Sequence, residues 1–156
     1  MTGIESVVGH RFRLPKALQL SMDASYTWTH TQFRTSFSSS FPQFGDVTAG
    51  DQLPYVPTHQ GSGQIMLEHD TAMLALAAHG RSRLRDIAGQ GDVPQEQDIP
   101  AMLLFDLAAS AKVSEHLQAT LSATNLLGAV SIESWRPYGA RPNAPQQFML
   151  GLKGEM

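Results

Sequence analysis

From Leu18 to Trp28 the chain alternates without a break. Leu18, Leu20, Met22, Ala24, Tyr26 and Trp28 are apolar, and Gln19, Ser21, Asp23, Ser25 and Thr27 between them are polar. Successive side chains of a β-strand point to opposite faces, so this period of two predicts a strand with one apolar and one wet face. The pattern recurs, giving seven strand candidates. The first, Ile4 to Arg13, sets Ile4, Val8 and Phe12 against Glu5, Arg11 and Arg13. The second is the opening pattern, continued to about Phe33. The third, Pro57 to Glu68, sets Ile65 and Leu67 against Gln60, Ser62 and Gln64. The fourth, Ala72 to Leu84, sets Leu74, Leu76 and Ala78 against His79, Arg81 and Arg83. The fifth, Met102 to Val113, sets Leu103, Phe105, Leu107, Ala109 and Ala111 against Asp106, Ser110 and Lys112. The sixth, Leu117 to Leu126, alternates Leu117, Ala119, Leu121 and Ala123 with Gln118, Thr120, Ser122 and Thr124. The last sets Phe148, Leu150 and Leu152 against Gln147, Lys153 and Glu155.

The connections alternate short and long. Leu14-Pro15-Lys16-Ala17, His69-Asp70-Thr71 and Ser114-Glu115-His116 are tight, and Pro15 favours a turn because it cannot donate to a ladder. Thr35–Val56, Arg85–Pro100 and Leu127–Gln146 are long and rich in Ser, Gly, Pro and polar residues. Alternating strands with short turns at one end and long loops at the other predict an all-β, antiparallel, up-and-down transmembrane β-barrel segment. A soluble antiparallel sheet with one face on a core shows the same alternation. It remains the alternative: a small soluble β-sheet binding module that buries its apolar faces against each other. Two details favour the membrane. The apolar sets run over more repeats than the ~5–6 residues of a common soluble strand allow. Tyr26 and Trp28 also stand at the loop end of their strand, where an interfacial aromatic rim is expected.

Composition agrees with this picture and narrows it little. The hydrophobic fraction is 42%, but no stretch approaches the ~18 consecutive apolar residues of a spanning helix. A net charge of -3 is too small to argue for a nucleic-acid partner or an acidic tail, and none is expected. The absence of cysteine excludes disulfides and thiolate metal sites. Met1-Thr2-Gly3-Ile4-Glu5 carries neither a basic start nor an apolar run, so the chain reads as a piece of a protein whose export signal lies elsewhere.

Three segments carry a family resemblance. Asn125-Leu126-Leu127 leads through Arg136-Pro137-Tyr138-Gly139-Ala140-Arg141-Pro142 to Phe148-Met149-Leu150-Gly151-Leu152-Lys153. Gly50-Asp51-Gln52-Leu53-Pro54-Tyr55-Val56-Pro57-Thr58-His59-Gln60 precedes the third strand, and Tyr26-Thr27-Trp28-Thr29-His30 with Phe33 closes the second. In this order and spacing they resemble the C-terminal end of TonB-dependent outer-membrane receptors of the ferric siderophore or ferric citrate type. The resemblance implies that residues 1–156 are the closing part of a ~22-stranded barrel whose plug domain and earlier strands are absent. It implies a role in uptake of a ferric chelate, with the short turns periplasmic and the long loops outside. It also implies partners: outer-membrane lipid and lipopolysaccharide, the plug and remaining strands, and TonB through regions not present. Family members usually end on an aromatic residue, whereas this chain ends Gly154-Glu155-Met156. Seven strands cannot close such a barrel, so the isolated chain is expected to need its missing strands or to aggregate through its edges.

Candidate ligand-binding residues follow from the same resemblance. Arg81 and Arg83, with His79, could form a basic track suited to an anionic ferric chelate; the preferred reading is ordinary polar lining facing the plug. Phe41, Phe44 and Tyr55 in the first long loop could contact ligand or pack the loop. Arg136 and Arg141 could meet ligand or lipopolysaccharide phosphate; the preferred role is to hold the last loop in shape, with Pro137, Gly139 and Pro142 setting its turns. Glu68-His69-Asp70 and Glu115-His116 are read as polar turns rather than metal sites. No residue set supports catalysis, and no cofactor is implied.

Overall fold

The computed structural model describes residues 1–154. Glu155, assigned above to the polar side of the last strand, lies outside the described residues. Seven long strands pair antiparallel in chain order: β1 (Thr2–Leu14), β2 (Leu18–His30), β5 (His59–His69), β6 (Ala72–Arg81), β9 (Met102–Ser114), β10 (Leu117–Thr124) and β13 (Gln147–Gly154). Three two-stranded ribbons stand in the long loops: β3 (Phe37–Ser38) with β4 (Asp46–Val47), β7 (Leu84–Arg85) with β8 (Asp98–Ile99), and β11 (Ile132–Ser134) with β12 (Arg141–Pro142). The long strands form one up-and-down meander, as the alternation of short and long connections predicts.

Strand ends shift for local reasons. The second strand stops at His30 because Phe33 turns away, its N–H donating to the Asp51 carbonyl at 2.8 Å. The fourth stops at Arg81, and Leu84 and Arg85 pair instead with Ile99 and Asp98. Arg83 therefore leaves the strand face that His79 and Arg81 share. The third begins at His59, two residues beyond Pro57, which has no N–H for the ladder. The sixth stops at Thr124 because Asn125 adopts φ +51, outside the range of a strand. At the other end, Asp70-Thr71 and Glu115-His116 connect closely paired strands, and Lys16 and Ala17 turn β1 into β2 with φ of +63 and +55.

The ladders place the apolar sets side by side. Phe12, Leu20, Leu67, Leu74, Ala109, Leu121 and Leu150 form one row across all seven strands. His10, Met22, Ile65, Leu76, Leu107, Ala123 and Phe148 form the next. His10 is the one titratable member of those two rows. The opposite face carries Arg11, Gln19, Ser21, Asp23, Gln64, Ser62, His79, Asp106, Ser110 and Thr120, with Met66, Met73 and Ala75 among them. Here Ser25 and Ser62 share a hydrogen bond of 2.8 Å, and the Gln19 amide donates to Glu68 at 3.1 Å.

Among the described residues, the apolar face is largely uncovered, with Ala123 buried at its loop end. Ile4, Val8, Ile65, Leu74, Leu76, Phe148 and Leu152 are all exposed, and Leu150 is 85% exposed. The sheet is a single layer, which is not the arrangement of a soluble module burying two such faces against each other. The few buried apolar side chains gather at the loop end instead: Val47, Leu84 and Ile99 in the loops, with Leu104 and Ala123 in the strands.

Gly61 and Gly80 face each other across β5 and β6, in the row that also holds Tyr26 and Leu103. A Cβ at Gly80 would lie 2.8 Å from the Met102 carbonyl oxygen and 3.1 Å from a Leu103 methyl. Backbone cannot yield there without shifting the β6–β9 ladder. Gly80→Ala is therefore expected to destabilise the folded barrel by about 1–3 kcal/mol, the usual cost of overpacking. Gly63→Ala, whose nearest neighbour would be 3.7 Å away, is the matched control. Comparing urea midpoints of the two variants in detergent tests this, and equal midpoints would contradict it.

Candidate functional site

The long loops carry the polar chemistry, and they are joined to one another. The segments concerned are 31–58, 82–101 and 125–146. In the first, the rings of Phe33, Phe37 and Phe44 cluster edge to face, with centroids 5.3–6.5 Å apart. The Asp51 carboxylate accepts the Thr48 N–H at 2.8 Å, and the Gly50 N–H closes back on the Phe33 carbonyl. The first loop meets the second through backbone: the Gln52 N–H donates to Gly89, Tyr55 to Arg85, and Ala88 to Gln43.

Asp86 is the point where all three loops meet. Its side chain is almost fully buried, with 6% exposure. The Tyr55 hydroxyl, from the first loop, donates to its Oδ1. The Arg136 guanidinium, from the third, stands 3.1 Å from its Oδ2 as an ion pair. Around this knot the Trp135 indole N–H donates to the Asp98 carbonyl at 3.0 Å, and the Trp135 backbone N–H approaches the Tyr55 oxygen at 3.4 Å. Burial raises the Tyr55 pKa, and the hydrogen bond and negative charge of Asp86 raise it further, against a smaller opposing effect of backbone N–H donors.

The third loop is held by two buried asparagines. Asn125 takes a positive φ, which asparagine tolerates better than most residues, and its amide is fully used. It donates to the Ala129 and Ala144 carbonyls at 2.8 and 3.0 Å and accepts the Ala129 N–H at 2.9 Å. Asn143 grips the same two carbonyls and accepts the Ser131 N–H at 2.7 Å. The Asn125 N–H in turn donates to Asp106 Oδ1 on the polar sheet face, tying loop to wall.

The residues singled out from the sequence fall in different places. Arg81, at the end of β6, spends its guanidinium on the Pro100 and Ile132 carbonyls at 2.9 and 3.3 Å, linking the second and third loops. Arg83 lies beyond the strand, 3.0 Å from Asp98 and largely exposed. His79 stands 3.7 Å from Asp106. Phe44 belongs to the aromatic cluster, whereas Phe41 is exposed at the tip of the β3–β4 hairpin. Arg141 is exposed on β12, paired in register with Ser134. Thus Arg81 and Arg83 both reach the rim of the second loop, Arg81 also bonding to the β11–β12 ribbon that carries Arg141. Among the described residues, no three metal-ligating side chains come together. Asp86 and Asn143 escaped the sequence reading. Nothing local marks Asp86, since its partners lie 31 and 50 positions away in the chain.

No family model matches the sequence, and no curated protein is similar to it by sequence. Solved structures resemble it in fold. The siderophore receptor PiuA from Acinetobacter baumannii matches 97% of this chain and 22% of its own length, with TM-score 0.67 and 16% identity. The ferric-catecholate import receptor Fiu from E. coli K12 matches 97% of this chain in its closed and open forms, with TM-score 0.58 in both. Identity to Fiu is 14% and 17%, over 27% and 26% of the receptor. The chain shares the fold of a segment of these receptors, a seven-strand antiparallel meander. The chain spans about a quarter of the length of the receptors it matches.

Asp86→Ala would leave the Arg136 cation and the Tyr55 hydroxyl without their shared partner. Hydrogen bonds to charged groups contribute about 1.5–3 kcal/mol, so opening of the loop cap should become easier by about that amount. Hydrogen exchange at residues 82–101 and 131–143 should then quicken by roughly one to two orders of magnitude, with strand amides unchanged. Unchanged loop exchange would contradict the assignment. The raised Tyr55 pKa has a defined sign: its stabilisation is complete below the ordinary tyrosine value near 10 and is lost as pH rises through the higher folded-state value. The cap should loosen in that alkaline window, followed by exchange or proteolysis of the loops. Tyr55→Phe should remove that step, and an identical alkaline response in the variant would contradict it.

Proposed function

We propose that residues 1–156 form the closing section of an outer-membrane barrel that imports a ferric siderophore or ferric citrate. The remaining strands and a plug domain would come from elsewhere in the protein. The observation that carries this is the continuous apolar face: all seven strands present apolar residues in a common row, and among the described residues no second layer covers them. A face of that extent on a soluble surface would be an aggregation site, whereas hydrocarbon covers it without cost.

Dimensions support the proposal. The run from Leu18 to Trp28 at ~3.4 Å per residue is ~34 Å long, and a ~45° tilt projects it to ~24 Å, close to the ~25 Å apolar band of such barrels. At the loop end Tyr26, Trp28, His30 and His59 form an amphipathic rim, with the Tyr26 hydroxyl 2.7 Å from His59 Nδ1 and the Trp28 and His30 rings stacked at 6.3 Å. The short turns then face the periplasm and the long loops the exterior. The outer edges of β1 and β13 have no partner strand in the sheet. In a bilayer each unsatisfied backbone group would cost several kcal/mol, so further strands are required on both sides.

In this assignment the chain supplies wall and loops, and its chemistry is recognition and passage rather than bond-making. The polar face lines the interior against the plug. Arg81, Arg83, Phe41, Phe44 and Arg141 are the residues of this chain offered for contact with an anionic iron chelate. Energy coupling would run through the plug to TonB.

The test uses the whole receptor in its native host, with a deletion strain and plasmid-borne variants. Loss of the gene should abolish uptake of labelled ferric citrate or of a ferric catecholate, and restoration should require TonB. Leu76→Arg, in the middle of the apolar face, should cost about 2–4 kcal/mol and lower the amount of folded receptor in the outer membrane. Ser62→Arg, on the polar face, should leave that amount near wild type. Equal tolerance of both substitutions would contradict the membrane assignment, and uptake unaffected by deletion would contradict the transport role.

A further inference from the structure

Every residue of β1 is exposed, along all 13 positions from Thr2 to Leu14. β2 covers one edge of the strand, and the other edge has no partner in the sheet. Alternate residues of a strand turn their N–H and C=O groups to opposite edges. The free edge of β1 is therefore a row of donors and acceptors that another strand would satisfy. Backbone chemistry says what kind of element covers this edge, and the side chains say which.

Taken from its midpoint at Val8, β1 is complementary to its own copy run the other way. Antiparallel pairing of Val8 with Val8 of a second copy sets Glu5 opposite Arg11, Ile4 opposite Phe12, Ser6 opposite His10 and Thr2 opposite Leu14. All 13 residues of the strand then find a partner on their own side of the sheet. A two-fold axis repeats each pair, so two Glu5–Arg11 contacts form, with Arg13 diagonal to each Glu5. Within the chain, Glu5 and Arg11 stand across the β1–β2 ladder from the uncharged Thr27 and Ser21. A one-residue slip would set Glu5 against His10 or Phe12 and mix the faces. A two-residue slip would shorten the ladder and take Glu5 off Arg11.

The other open edge is a poorer match. The seven strands alternate in direction, so β1 and β13 run alike, and the β13 edge of a second copy would meet β1 parallel. Parallel pairing is slightly weaker per residue, and Lys153 is the one charged side chain from Gln147 to Gly154.

We infer that the chain pairs edge to edge with a second copy of itself through β1, in the register that centres on Val8. The sheet then continues across the two-fold axis with both apolar faces on one side. The pairing does not rest on the transport proposal. A preceding strand in a longer protein would take the same edge, so the test is made on residues 1–156 alone, folded in detergent micelles.

The chain has no cysteine, so single sites report the register cleanly. Under mild oxidation Val8→Cys should give a disulfide-linked pair of chains. Ile4→Cys alone and Phe12→Cys alone should not, because each would lie ~27 Å from its own copy, but a mixture of the two should. Light scattering should give the mass of two chains. Arg11→Glu, and separately Glu5→Arg, should raise the dimer Kd by at least roughly tenfold, and the double exchange should restore it. Arg11 also donates to the Ser21 hydroxyl at 3.3 Å, so strand content is followed by circular dichroism in every variant. A monomeric wild type would overturn the pairing and leave the transport proposal standing. Self-linking of Ile4→Cys as readily as Val8→Cys would overturn it too, as the mark of unspecific association. So would a double exchange that keeps wild-type strand content without restoring the dimer.

Discussion

Register is the constraint on which the rest of this structure depends. Side chains alternate along a strand, so a one-residue slip in any ladder would turn that strand's apolar set to the polar face. The six ladders keep every set in step, from Phe12 through Leu20, Leu67, Leu74 and Leu121 to Leu150. The one irregularity, between Leu117 and Gln118, lies at the turn end, where it leaves the rows above it intact. Tight turns fix the pairing locally, and the glycine pair Gly61–Gly80 lets the backbones approach under Tyr26 and Leu103.

A sheet that commits one face to an outside phase has little interior of its own. Packing within this chain therefore moves to the loops, where Val47, Leu84 and Ile99 are buried. The loops also bury polar groups, and most of these are paired. Asp86 accepts the Tyr55 hydroxyl and forms an ion pair with Arg136, each from another loop, and Asn125 and Asn143 both donate to the Ala129 and Ala144 carbonyls. The outcome is a cap whose loops are coupled to one another and, through Asp106, to the wall. Such coupling gives side chains on separate loops a common frame.

The sheet was legible in the sequence because its signal is local: a period of two, a turn, and the period again. The seven strands, their faces and the three short turns all follow from it. Strand ends were less legible, since Leu84 and Arg85 continue the alternation yet leave the wall to pair with Asp98 and Ile99. The cap was legible only in part. Asn125 stood out within a family-like segment, whereas Asp86 has no local mark, and its role depends on Tyr55 and Arg136 arriving from distant loops. Arg81 and Arg83 were grouped by spacing, but Arg83 sits past the end of the strand that would have kept them on one face.

The central claim is that one face of this sheet meets lipid and the other meets water. Spin labels placed singly from Leu18 to Trp28 in the full-length protein, reconstituted in bilayers, measure this directly through their accessibility to oxygen and to a water-soluble nickel chelate. The account expects oxygen accessibility to peak at the even positions and to alternate with low values at the odd ones, with nickel accessibility low at the even positions throughout. Equal accessibility at neighbouring positions, or nickel access at Leu20, Met22 and Ala24, would contradict it.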